Sequence, residues 1–338
     1  MLAPEKETVL TRGRPRGLSG NLRPMARSRE SLTDYAFRLV MRMALRAGIA
    51  HHTGADPVKL KRFLERVSLL YHDNPYHNWH HAVDVAHTAA WLVNRPLFRR
   101  AFAPSDVFWL LIAALVHDVD HPGHNNSWET AAQTERARRY EGVSVLERHS
   151  LDAAINLMRL PDCRFTERMP DRVRERGLYL MQETILATDF ELHGAFLAAL
   201  GRAIEQFPQE VGFDRPEFSM LILKALLKAA DIGNVAQPYA QARIWATRAM
   251  QEFRTQGARE AAAGLPVPPI NDAARTSLED AQVYFIRHAA LRLFELLARL
   301  EPEVGPLVQA IRDNASRYEA EISGETERTR SPFRGSAS

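Results

Sequence analysis

From Ser31 onward apolar residues return at steps of three and four, as in Leu60, Phe63, Leu64, Val67 and Leu70, and strand-like alternation is scarce. That period predicts amphipathic helices. The candidates are Asp34–Ala47, Pro57–Tyr71, His80–Val93, Ser105–Val119, Ser127–Arg139, Ser144–Arg159, Gln182–Ala199, Pro216–Ala230, Ala240–Gln256 and Ser277–Arg299. Loops are predicted where Pro and Gly gather, at Asp73-Asn74-Pro75, at Pro122-Gly123 and from Gly264 to Pro269. No internal repeat and no linker-like stretch interrupts residues 30–323. The pattern therefore predicts an all-α fold, a single compact multi-helix domain, with disordered tails at 1–29 and 324–338.

Two runs are almost wholly apolar, the second broken only by Lys224, which marks buried helices, and each ends on ionisable residues. Val107–Val116 leads into His117-Asp118-Val119-Asp120-His121-Pro122-Gly123, and the run from Met220 to Leu227 leads to Asp231. A third stretch, Tyr76-His77-Asn78-Trp79-His80-His81, places His77 and His81 four apart, on one face if helical. Ionisable groups at the ends of core helices are costly unless paired or metal-bound. A lone histidine such as His51, His52 or His80 is ordinarily a satisfied core or surface residue. The set formed by His77, His81, His117, Asp118 and Asp231 points instead to a metal. Two imidazoles with two carboxylates suit zinc, iron or manganese. One carboxylate can also bridge to a second, harder ion such as magnesium, held mostly through water. A pair of metals would activate a water and clamp a phosphoryl oxygen.

Composition narrows the remaining classes. The chain has 338 residues, 46% hydrophobic and 25% charged, as in ordinary soluble globular proteins. Its net charge of +3 is small, so the pI near 9.1 implies only a weak field and no nucleic-acid partner is expected. The ten-residue run Val107–Val116 is too short to span a bilayer. Cys163 is the only cysteine; an internal disulfide is excluded and a reducing compartment fits. The N-terminus lacks an apolar leader core, and a cytoplasmic location is expected. Between Thr8 and Arg29 there are six arginines and no acid, which reads as a solvated extension. Organelle targeting is the alternative, with Glu5 and Glu7 against it.

Six segments in order resemble the catalytic domain of the class I 3′,5′-cyclic nucleotide phosphodiesterases, a branch of the HD-domain metal hydrolases. They are Tyr76-His77-Asn78-x-x-His81-Ala82-x-Asp84-Val85; His117-Asp118-x-Asp120-His121-Pro122-Gly123-x-x-Asn126; Ser144-Val145-Leu146-Glu147; Leu186-Ala187-Thr188-Asp189; Ala230-Asp231-Ile232-x-Asn234; and Gln282-x-x-Phe285. The resemblance covers roughly residues 57 to 318. It implies an all-helical phosphodiesterase fold that hydrolyses the 3′ ester of cAMP, cGMP or both to the 5′-monophosphate. It implies two divalent metal ions, Zn2+ at a tight site made by His81, His117, Asp118 and Asp231, and Mg2+ or Mn2+ at a water-rich site bridged by Asp118. His121, Glu147 and Thr188 would hold the second ion's waters. A metal-bridging hydroxide would attack phosphorus while His77 protonates the leaving O3′, with Glu147 the candidate to keep that imidazole charged. Tyr76, Asn234, Gln282 and Phe285 would line the nucleotide site, the glutamine on the purine edge and the phenylalanine on its face.

Departures from the family pattern stand near the expected base site and, after Glu147, near the groups expected to hold the metals' waters. Tyr284 occupies a position that is commonly glycine, Ala246 and Ala249 positions that are often larger, and Arg148 and Ser150 replace residues commonly Asn and His. Members of the family often carry regulatory domains ahead of the catalytic one; the thirty-odd residues here are too few to fold into one, so a free-standing catalytic unit is expected, and a homodimer is compatible with the sequence. Two alternatives stay open: an HD-type hydrolase of another phosphate ester, and a catalytically inert nucleotide-binding protein. Intact metal positions and His77 argue against the second.

Overall fold

The run Val107–Val116 forms the spine of the structure. In the computed structural model, which describes residues 28–46, 54–207 and 209–330, every side chain from Phe108 to Val116 is buried. In chain order the helices are α1 (Arg29–Arg46), α2 (Pro57–Leu70), α3 (Trp79–Val93), α4 (Pro96–Ala101), α5 (Pro104–Val116), α6 (Asn126–Ala131), α7 (Glu135–Arg139), α8 (Val145–Arg159), α9 (Asp171–Leu186), α10 (His193–Gln206), α11 (Pro216–Asp231), α12 (Tyr239–Ala262), α13 (Leu278–Phe285), α14 (Leu291–Leu300) and α15 (Gly305–Arg330). A π-helical turn, Ile286–Ala290, joins α13 to α14. Among the described residues there is no strand, and no helix is long and apolar enough to cross a membrane.

Packing places α5 against α1, α3 and α9, and sets α11 against α3. Burial of these apolar faces is the main stabilising term. The approach of α9 to α5 is close enough to dictate a residue. A Cβ on Gly177 would come within 1.9 Å of the Trp109 indole, so only glycine fits there.

Several predicted boundaries move. α3 begins at Trp79 with Asn78 as its N-cap, whose side-chain oxygen accepts the N–H groups of His80 and His81. His77 therefore precedes the helix and does not share a helical face with His81. The predicted helix Ser127–Arg139 is α6 and α7, broken where Gln133 takes a φ of 50°. The predicted helix Gln182–Ala199 is the end of α9 and the start of α10. Between them the Lys228 ammonium, reaching over from α11, takes the carbonyl of Ala187, a cation satisfying a helix C-terminus. The first turns of α9 carry Arg, Glu and Asp with little apolar period, and no helix is predicted there. The candidates stop at Arg299, yet α15 follows and runs past 324 to Arg330, into the stretch expected to be a tail. The expected N-terminal tail up to residue 27 lies outside the described residues.

Candidate active site

Three helix ends meet. α3 delivers His81 from its first turn, α5 ends with His117 as its C-cap followed by Asp118, and α11 ends on Asp231. One ligand atom from each of His81, His117, Asp118 and Asp231 lies within 4.8 Å of all the others. The His81 Nε2 is 3.0 Å from Asp231 Oδ1 and 3.5 Å from Asp118 Oδ2; the His117 Nε2 is 3.2 Å and 3.1 Å from the same two oxygens. Both histidines are 1% exposed.

The support behind these groups fixes their direction. His117 Nδ1 faces the carbonyl of Ala114 at 2.9 Å, which sets the proton on Nδ1 and turns Nε2 inward as a donor atom. The backbone N–H of Asp118 is held by the Tyr71 hydroxyl, which in turn donates to the Leu115 carbonyl. Burial works against ionising Asp118 and Asp231, but His117 in its protonated form, facing both, holds their carboxyls well below the usual range. Two buried carboxylates aimed at one point between two imidazoles demand positive charge there. A divalent cation meets that demand, and the mixed N/O donor set fits one.

A second cluster, His77, His121 and Glu252, adjoins the first. Glu252, on α12 and only 4% exposed, accepts the backbone N–H groups of Tyr76 (2.7 Å) and His77 (2.8 Å) on one oxygen. Its other oxygen pairs with His77 Nδ1 at 2.5 Å. With both oxygens engaged by protein donors, this cluster is built to hold a proton rather than an ion. Burial alone would discharge His77, but Glu252 outweighs it and pushes the imidazole up to about 9. Stacked on it at 3.9 Å is His121, which burial and the His77 charge hold down at about 3, so the pair is one charged ring on one neutral ring. Asn74 ties the two together by donating to both backbone carbonyls. Its amide also leaves no room for a Cβ on Gly123, whose φ is +78°.

The carboxylate paired with His77 is therefore Glu252, not the expected Glu147. Glu147 accepts from Asn126 at 3.0 Å, and burial together with Asp189 and Asp118 pushes it up to about 7. Sequence reasoning missed Glu252 because α12 bears charges along its whole length. The usable signal is that Glu252, Gln256 and Glu260 lie four apart in line with Trp245, and all are buried.

The remaining predicted residues fall on several elements. Tyr76 accepts a hydrogen bond from the Asn234 amide (2.6 Å), and its ring lies 4.7 Å from that of His81. Thr188 lines a recess together with Asp231. Gln282 and Phe285 are half-buried on α13, and Phe285 stacks on Phe190, a residue the sequence did not mark. Tyr284 points outward, 66% exposed and against His288. Ser150 instead braces the His-Asp turn, donating to the Val119 carbonyl.

A fold that is helical throughout the described residues, with core helices ending on a buried His/Asp cluster, fits a helical metal-binding protein. Comparison with known proteins sharpens this. The sequence matches the 3'5'-cyclic nucleotide phosphodiesterase family over residues 76–311, and the chain belongs to that family. It is 31% identical over 276 residues to the human high affinity cGMP-specific 3',5'-cyclic phosphodiesterase 9A, covering 80% of this chain and 45% of the human protein. It is 32% identical to the rat 3',5'-cyclic-AMP phosphodiesterase 4C, covering 78% of this chain and 50% of that one. The chain thus spans half or less of these curated relatives. The crystal structure of the phosphodiesterase domain of the RhoPDE fusion protein from the choanoflagellate Salpingoeca rosetta superposes with a TM-score of 0.84 at 26% identity, over 90% of this chain and 95% of that one.

Proposed function

We propose that this protein is a metal-dependent 3′,5′-cyclic-nucleotide phosphodiesterase that converts cAMP, cGMP or both to the 5′-monophosphate. Family membership supports the reaction. The observation that carries the assignment of roles is the charged His77 ring standing 6.0 Å from that of His81, beside the four-ligand centre. His81, His117, Asp118 and Asp231 would hold the tighter ion, with Zn2+ the expected occupant, and Asp118 would be shared with a second, Mg2+ or Mn2+. Bound divalent ions supply Lewis-acid stabilisation of the phosphate oxygens and acidify a water. His121, Glu147 and Thr188 would orient the surrounding waters.

The chain's own residues do the rest. A water oxygen, having given up one proton to solvent, bonds to phosphorus as the P–O3′ bond breaks; His77 passes its proton to O3′, which otherwise leaves as a poor alkoxide, and is reprotonated from solvent, so the net change is the addition of one water. Glu252 keeps that proton in place beforehand through charge, and orients the ring through its two backbone contacts. Gln282 presents a donor and an acceptor to the purine edge, Phe285 a face to its ring, and the Tyr76–Asn234 pair lies where base and phosphate ends meet.

The experiment is turnover of cAMP and cGMP in zinc plus magnesium with the product identified. The expected product is the 5′-monophosphate, and His77→Ala should lower turnover by about 10²–10⁴-fold with bound metal unchanged. Tight nucleotide binding without hydrolysis, or a fully active His77→Ala protein, would contradict the proposal.

A further inference from the structure

Beside the metal centre lies a small recess of about 10 Å³, room for a single hydroxyl or water, lined by Thr188, Phe190, His193, Lys228, Asp231 and Ile232. Asp231 belongs to the metal centre. Phe190 stacks on Phe285, with ring centroids 5.8 Å apart and planes at 26°. The recess thus adjoins the phosphate end of the site on one side and the base platform on the other.

Its polar lining is incompletely used. His193 is 5% exposed, and its Nε2 faces the Ala289 carbonyl of the π-helical turn at 3.2 Å. That contact puts the ring proton on Nε2 and leaves Nδ1 as an acceptor, which is buried and has no partner. Phe190 lies flat over the same ring, 4.7 Å away at 7°, so only the nitrogen-bearing edge remains polar. Burial and the nearby Lys228 ammonium hold His193 below the ordinary imidazole range, which keeps it neutral. Lys228 is 3% exposed and directs N–H groups to the carbonyls of Ala187 and Asp189, while an ammonium carries three donors. Thr188 gives its hydroxyl proton to the Ile185 carbonyl at 2.7 Å and keeps its lone pairs. A buried acceptor without a partner is destabilising, so such an edge calls for an occupant. That occupant must accept from an ammonium and donate to an imidazole nitrogen. A hydroxyl does both.

We propose that the recess is a hydroxyl subsite that takes the 2′-hydroxyl of the substrate's ribose, which accepts from Lys228 and donates to His193 Nδ1. The assignment rests on the cyclic-nucleotide activity proposed above. In a 3′,5′-cyclic nucleotide the 2′-oxygen sits on the carbon next to the one bearing O3′, so it must fall beside the phosphate and toward the base. Between Asp231 and Phe285 is that place. A water has the same hydrogen-bonding chemistry, and the test separates the two.

The measurement is the ratio of kcat/KM for cAMP over 2′-deoxy-cAMP, and likewise for the guanine pair, in the wild-type protein, His193→Gln and Lys228→Met. The glutamine amide retains an N–H for Ala289 and lacks the Nδ1 acceptor. Wild type should favour the ribonucleotide about tenfold or more, because a site built to bond a hydroxyl rejects the analogue without it. In each folded variant the ratio should fall to about 2 or below, and equilibrium binding of 5′-AMP against 2′-deoxy-5′-AMP should show the same collapse. A wild-type ratio near unity would mean that water fills the recess, and overturns the proposal. So does a ratio unchanged in the variants while both substrates slow in parallel, the mark of a structural role. If the wild-type protein turns over none of these compounds, the activity itself fails, and the subsite with it.

Discussion

Glu252 is the residue on which the chemistry of His77 turns. Its carboxylate raises the imidazole to about 9 against the opposing effect of burial. A proton donor works while protonated, so kcat/KM should fall as pH rises through that pKa. In Glu252→Gln only burial and the more distant acids act on the ring. The alkaline limb should then move at least about 1 pH unit toward acid, which lowers kcat/KM at pH 8 by about twofold for a 1-unit shift and about tenfold for a 2-unit shift. An unmoved limb with a uniformly lower rate would mean that Glu252 only orients the ring. His117, Asp118 and Asp231 were legible in the sequence because each sits where an apolar run stops, a place where a charge needs a reason, whereas His81, in the first turn of α3, was marked by the histidine-rich stretch from Tyr76. Glu252 was not, because an acid within a charged helix looks the same on paper whether it faces solvent or the core. His193 was silent for a similar reason: its unpartnered nitrogen arises only when the π-helical turn occupies the other one.

At the level of elements, the 3.6-residue period located most of the helices, and it failed where tertiary contacts overrule it. The end of α9 is set by Lys228 arriving from another helix, and the break between α6 and α7 by a left-handed residue, neither of which periodicity encodes. α9 itself was hidden because its first turns are charged, yet it packs closely on α5. Gly177 is the pivot of that packing. Gly177→Ala sets a methyl against the Trp109 indole, and although alanine has the higher helix propensity, overpacking should dominate. The expected loss is about 1–3 kcal/mol of unfolding free energy, read from denaturant midpoints. A gain in stability would show that α5 and α9 do not approach so closely in solution.

For the molecule as a whole, stability should carry the mark of one buried acid outside the catalytic centre. Asp84 on α3 accepts from Gln237 at 2.8 Å, and Gln237 belongs to the turn after α11 that Asn314 of α15 braces through two backbone carbonyls. Burial pushes the Asp84 carboxyl up to about 7, with the Gln237 amide pulling the other way. A carboxyl whose folded pKa lies above its unfolded value destabilises the folded state. The penalty is absent below about pH 4, grows between there and pH 7, and is constant above. Asp84→Asn keeps an acceptor for Gln237 and removes the charge, so it should stabilise the protein by up to about 4 kcal/mol at pH 8 and by little near pH 4. An equal effect at both pH values would contradict the assignment. The single-domain arrangement followed from the absence of a linker, but the last helix, α15, was not foreseen and runs into the stretch expected to be a tail.

The central claim is that three helix ends hold divalent ions beside a charged histidine and that this constellation cleaves a cyclic nucleotide. Its most direct test is hydrolysis of cAMP and cGMP by wild-type protein before chelation, after it, and after titration with zinc and magnesium. The account predicts 5′-monophosphate formation that chelation abolishes and returning ions restore. Turnover that persists in chelator, or none of either nucleotide with both metals present, would contradict it.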